Sequence, residues 1–153
     1  MSALSACVHY DIKKIIAYST CSQLGFMVAA LGLSQYHMAF YHLITHAFFK
    51  SLLFLSAGLV ITALSGEQDF RKMGDLVRVL PVTSCYFFIG ILSLCGFPFF
   101  SGYYSKELIL SAAYLAGGTH PFSLTSSGFG NFAYILLLIA SVITTYYSVR
   151  MLY

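Results

Sequence analysis

His42, His46 and Lys50 are spaced i, i+4, i+8 in Tyr41-His-Leu-Ile-Thr-His-Ala-Phe-Phe-Lys50, a stretch with no other charged side chain. On an α-helix that spacing makes one stripe. It steps through roughly 12 Å of depth at ~1.5 Å per residue. The apolar run around it, about 38–64, is long enough to cross a bilayer and would put Lys50 near the midplane. An ionisable group at that depth is costly and normally faces a bundle interior or a water-filled path. Three titratable groups on one such stripe point to a route for protons. Imidazole, with an unperturbed pKa of ~6.5, loads and unloads near neutral pH. Burial disfavours the charged form of a lysine, so that residue type can also change charge. The competing reading is a set of hydrogen-bonding residues that tie helices together. A metal site at His42 and His46 would have suitable spacing but no third ligand nearby, so none is expected.

The elements that position this stripe belong to a membrane. The chain is 59% hydrophobic and 8% charged, against about 25% charged in an ordinary soluble domain. Its own polar groups could not cover its surface, so the bilayer is the expected solvent. The expected fold is all-α: one polytopic transmembrane bundle over 1–153, with about four crossings, one of them discontinuous. A net charge of +3 is too small to argue for nucleic acid. Cys7, Cys21, Cys85 and Cys95 form no CxxC pair and no metal-like spacing with histidine. No GxGxxG and no cysteine cluster is present, so no flavin, nucleotide or iron–sulfur site, and no catalytic or metal residue, is expected here. Met1 to Cys7 lacks a basic region followed by an apolar core, so no signal peptide is expected.

Hydropathy divides the chain into spans at about 15–33, 37–64, 81–116 and 131–153. Ser34 to Tyr36 is a turn. Gly66 to Arg78 holds Glu67, Asp69, Arg71, Lys72, Asp75 and Arg78 and reads as a solvated loop that docks on neighbours. Gly117 to Gly130 reads as a Gly/Ser-rich loop. The third span is too long for one plain crossing and is interrupted near 97–106, where Gly96-Phe97-Pro98 and Ser101-Gly102 precede Lys106-Glu107. A Gly/Pro break carrying a lysine is the pattern of a discontinuous transporter helix, with Lys106 in a polar pocket. An ordinary interface lysine reaching for headgroups is the competing reading. Lys13, Lys14, Arg71, Lys72, Arg78 and Arg150 all fall on one side if 81–116 is a single broken crossing. Lys13 and Lys14 also suit plain positive-inside anchors. Tyr18, Ser19, Thr20, Ser22 and Gln23 make the first span locally polar, which suits packing and holding water.

Four ordered motifs carry a resemblance. They are Asp11-Ile-Lys-Lys-Ile-Ile-Ala-Tyr-Ser-Thr-Cys-Ser-Gln-Leu-Gly25, His42-Leu-Ile-Thr-His-Ala-Phe-Phe-Lys-Ser-Leu-Leu-Phe54, Glu67-Gln-Asp-Phe-Arg-Lys-Met-Gly74 and Gly96-Phe-Pro with Gly102-Tyr-Tyr-Ser-Lys-Glu-Leu-Ile-Leu110. Together they resemble the antiporter-like membrane subunits of respiratory complex I, in the style of the mitochondrial chain-5 branch, over roughly Asp11 to Tyr153. The resemblance implies a proton-translocating part of NADH:ubiquinone oxidoreductase, with NADH, FMN, iron–sulfur clusters and ubiquinone held by other subunits. It implies Lys13, His42, His46, Lys50 and Lys106 as the proton pathway; Lys14, Glu107, Thr45 and Ser19 are the candidate supporting residues beside them. It implies other membrane-arm subunits and membrane lipids as partners, and the mitochondrial inner membrane as location, with a bacterial plasma membrane as the alternative. Family members are several times longer, so a split product or a fragment is expected, its first repeat supplied by another chain. A sodium/proton antiporter subunit and a structural assembly remnant are the rival readings.

Overall fold

The computed structural model describes residues 1–74, 76–118 and 127–152. Asp75, Tyr153 and the 119–126 part of the expected Gly/Ser-rich loop lie outside the described residues.

The helices are α1 (Ser2–Val8), α2 (Ile12–Gly32), α3 (Tyr36–Ala63), α4 (Leu76–Val79), α5 (Pro81–Cys95), α6 (Ser101–Gly118) and α7 (Ser127–Leu152), with a 3-10 turn at Phe70–Lys72. Among the described residues there is no strand, only an isolated bridge between Asp11 and Asp69. By length and composition α2, α3 and residues 130–152 of α7 can each cross a membrane, and α5 is a shorter apolar helix. The expected loop from Gly117 begins later than its composition suggested, because α6 carries its last turn through Gly118. The part of the third span after its interruption is an 18-residue helix that already starts at Ser101.

Local chemistry sets the ends. Asp11 caps α2, its carboxylate accepting from the Lys13 and Lys14 backbone N–H groups at 3.1 and 3.5 Å. Pro81 opens α5, where its missing N–H costs nothing. Gly96 closes α5 at φ +80, a left-handed position that glycine takes without strain. The N–H groups of Gly96 and Phe97 then return to Ser93 O and Leu92 O at 3.2 and 3.0 Å.

α3 packs against α2, α5 and α6, while α7 packs against α1, α2, α5 and α6. Two apolar clusters result. One gathers Ile12, Ile15, Ile16, Phe49, Leu53, Ala57, Ile91 and Leu94. The other gathers Phe26, Ala30, Ala39, Ile109, Ala113 and Leu137. Along α2 the residues between them are Ser19, Ser22 and Gln23, and along α3 they are His42, Thr45 and His46, all buried. A polar layer is thus held between two apolar ones. In a bilayer such contacts hold helices by close packing and interhelical hydrogen bonds, since lipid is as apolar as leucine.

Candidate functional site

The site is that polar layer. Lys50 is the fifteenth of the 28 residues of α3, at its middle, and is 4% exposed. Its ammonium donates to Ile16 O at 3.2 Å and to Ser19 Oγ, both on α2. Ser19 in turn donates to Ile16 O at 2.9 Å. His42, fully buried, has Nε2 at 3.2 Å from Gln23 Oε1 and Nδ1 at 2.9 Å from Ser105 Oγ. It therefore joins α2 to α6.

Lys106 sits one turn past the break and is 4% exposed. Its ammonium donates to Leu94 O, in the last turn of α5. The carbonyls that end a helix carry partial negative charge, so the break supplies a seat for a cation. The Phe26 ring lies 5.9 Å from the Lys106 nitrogen and 6.3 Å from the His42 ring. Among the described residues no ion pair reaches Lys50 or Lys106; the three present are Lys14–Asp11, Arg71–Asp69 and Lys72–Glu67. Two buried lysines with no carboxylate partner among the described residues make an expensive arrangement.

The other residues singled out by sequence are placed differently. His46 is buried, but its Nε2 finds no hydrogen-bond partner among the described residues. Its ring stands edge-on to Phe49 at 5.3 Å and lies 6.1 Å from His42. The stripe is thus contiguous in sequence spacing without being hydrogen-bonded along its length. Thr45 turns back on its own helix, donating to Tyr41 O and His42 O at 3.2 and 3.1 Å. Lys13 and Lys14 are exposed in the first turn of α2, away from the stripe. Glu107 is exposed, and among the described residues no ion pair joins it to its neighbour Lys106.

Gln23 and Ser105, which belong to the layer, and Tyr147, packed in the first apolar cluster, were not selected from sequence as functional. The i, i+4 spacing of Ser19 and Gln23 within an apolar span was the available signal. Tyr147, 1% exposed, is one of 12 tyrosines and carried none. A cavity of about 840 Å³ lies between α1, α2 and α7. Its lining, Gly25, Phe26, Ala29, Ala133 and Leu137 among it, is mostly apolar and takes only Ser22 from the polar layer of α2.

Comparison with known proteins agrees with this architecture. Residues 1–130 match the NADH:quinone oxidoreductase/Mrp antiporter transmembrane family. The chain is 51% identical over all 153 residues to the NADH-ubiquinone oxidoreductase chain 5 of Metridium senile, covering 24% of that protein. It is 56% identical over 142 residues to chain 5 of Allomyces macrogynus, which is 93% of this chain and 21% of that one. It is 50% identical over its whole length to chain 5 of Arabidopsis thaliana, covering 22% of it. The chain thus spans between a fifth and a quarter of the length of the curated relatives it matches. Matched over most of its length and built as a helical bundle around a buried lysine–histidine layer, the chain belongs to the NADH:quinone oxidoreductase/Mrp antiporter transmembrane family.

Proposed function

We propose that this chain is the part of a complex I membrane-arm subunit that moves protons through its polar layer. The observation that carries the reading is the pair of buried lysines, Lys50 and Lys106, each held by neutral oxygens instead of a carboxylate. A lysine solvated this way can give up its proton without leaving a stranded anion behind. His42 reaches α2 through Gln23 and α6 through Ser105, the residue before Lys106. Lys106 also acts electrostatically on Lys50, His42 and His46. A charge placed on one lysine therefore changes the cost of charging the others, and this is the coupling a pump needs. Lys13, with Lys14 beside it, would serve at the basic end, where a proton enters or leaves.

Redox chemistry, with NADH, FMN, iron–sulfur clusters and ubiquinone, belongs to other subunits in this reading. The partners are the neighbouring membrane-arm subunits and lipid, and the membrane is the mitochondrial inner membrane. The naming of the matched relatives and the three membrane-length helices support this.

The test is Lys50→Ala in the assembled complex, reading protons pumped per electron pair in sealed vesicles. Loss of pumping is expected, and an unchanged ratio overturns the proposal. The family match also names antiporters. Sodium-dependent proton exchange without NADH oxidation would move the assignment to that activity.

A further inference from the structure

The outward surfaces of α3 and α7 are largely apolar. α3 shows Phe40, Phe48, Leu55 and Leu59, and α7 shows Phe132, Ile139, Val142 and Val149. Such side chains suit acyl chains. α6 differs. Tyr104, Glu107, Ser111 and Tyr114 are all exposed and fall at i, i+3, i+7 and i+10. They therefore form one outward stripe with a carboxyl group in it.

The stripe is deep. His42 is hydrogen-bonded both to Gln23, the twelfth of the 21 residues of α2, and to Ser105. Those two bonds put Ser105 level with the middle of a membrane-length helix. Glu107 lies two residues further along α6, roughly 3 Å of rise. A carboxyl group turned to hydrocarbon at that depth is costly, and acids inside membranes almost always face protein or a water-filled cavity.

No cation pairs with Glu107 among the described residues. Asp11, Glu67 and Asp69 take Lys14, Lys72 and Arg71. Lys106 turns inward to Leu94 O. A second copy of this chain offers no base at that depth either. Its exposed bases among the described residues, Lys13, Lys14, Arg71, Lys72 and Arg78, stand in the first turn of α2 or between α3 and α5, and Lys50 and Lys106 are buried.

We propose that this stripe of α6 is the docking face for a transmembrane helix outside these 153 residues that carries a lysine or arginine at the level of Glu107. Charge complementarity sets the partner's chemistry. Tyr104 and Tyr114 flank the carboxyl group with rings that can pack on the stem of such a base or on its cationic head. The inference rests on the reading that the chain works inside a membrane-arm assembly.

The experiment places a photoactivatable phenylalanine at Tyr104 or Tyr114 in the assembled complex, with Glu107 left in place, and identifies the joined peptides by mass spectrometry. Both probes are expected to join one helix that has a lysine or arginine within a turn of the joined residue. In Glu107→Gln the yield of that product should fall roughly tenfold, as loss of a hydrogen bond to a charged group implies. Products with lipid alone, with a second copy of this chain, or with a helix that lacks a base overturn the inference. So does an undiminished yield in Glu107→Gln. If Glu107→Gln does not assemble, the products in the otherwise unaltered complex decide. Lys50→Ala in the same complex separates the two readings. Lost pumping beside lipid-only products overturns the docking face alone, and unchanged pumping beside a joined basic helix overturns the proposed function alone.

Discussion

At the scale of the residue, the cost of Lys50 and Lys106 is the central physical fact. A buried ammonium held only by neutral oxygens gives up more hydration than those contacts return. Replacing Lys106 by Met keeps most of its length and removes its charge. Lys106→Met is therefore expected to raise thermal stability in detergent, by about 1–4 kcal/mol, while pumping is lost. A lower melting temperature would show that the Leu94 carbonyl more than compensates the burial of the charge. Ser19→Ala acts in the opposite sense, because it strips an acceptor from a buried cation. It should lower stability by about 1–3 kcal/mol, read as an earlier thermal transition. The residue types in this layer were legible in the sequence, since a lysine or a histidine inside an apolar run stands out. Their partners were not, because a serine, a glutamine or a tyrosine in a membrane helix is ordinary until its neighbours are known.

At the scale of the element, the junction between α5 and α6 deserves the closest test. Gly96 ends α5 in a left-handed conformation, and Gly102 brings the first turn of α6 against the Ser93 carbonyl. A Cβ at Gly102 would lie 1.8 Å from Ser93 O, inside any tolerable contact. Gly102→Ala must push α6 off α5 and move Lys106 away from Leu94 O. The expected cost is about 1–3 kcal/mol, seen in thermal unfolding and accompanied by weaker pumping. Parental stability would mean that the junction yields freely. The break itself was readable from Gly96-Phe97-Pro98. Which carbonyl it would offer to Lys106 was not, because that depends on how two short helices meet in space.

At the scale of the whole molecule, one end of the bundle is stapled. Arg150, near the end of α7, donates to Cys7 O and to His9 O, the latter at 2.5 Å. Its guanidinium also lies 5.0 Å from the rings of Tyr10 and Phe70. Arg71 also lies over the Tyr10 ring at 3.9 Å, and Phe70 N–H donates to Tyr10 O at 3.1 Å. This contact brings Lys13, Arg71 and Arg150 to one end, so α5 and α6 together carry the chain once from that end to the other. Arg150→Ala is expected to free α1, measured as faster proteolysis near Val8; an unchanged cleavage rate would sink this view. The docked loop has its own pH dependence. The Arg71 guanidinium beside Asp69 holds that carboxyl down at about 2. A carboxyl lowered on folding stabilises the docked loop above its ordinary range and loses that contribution as pH falls through its folded value. Hydrogen exchange at the Phe70 amide should thus stay protected, relative to an Asp69→Asn variant, down to about pH 4, and lose that advantage towards about 2. Identical exchange in the two proteins over that window would exclude the fork as its cause.

The sequence by itself determined the solvent, the helical class and the ionisable residues worth attention. Apolar content, helix-length runs and misplaced charges are local properties that no packing arrangement can undo. The tertiary structure alone decided that His46 turns its ring to Phe49, that Lys13 remains at the surface, and that Tyr147 is buried in the first apolar cluster. Spacing within one helix states which residues share a face. Only the helices packed on that face determine which of them find a partner.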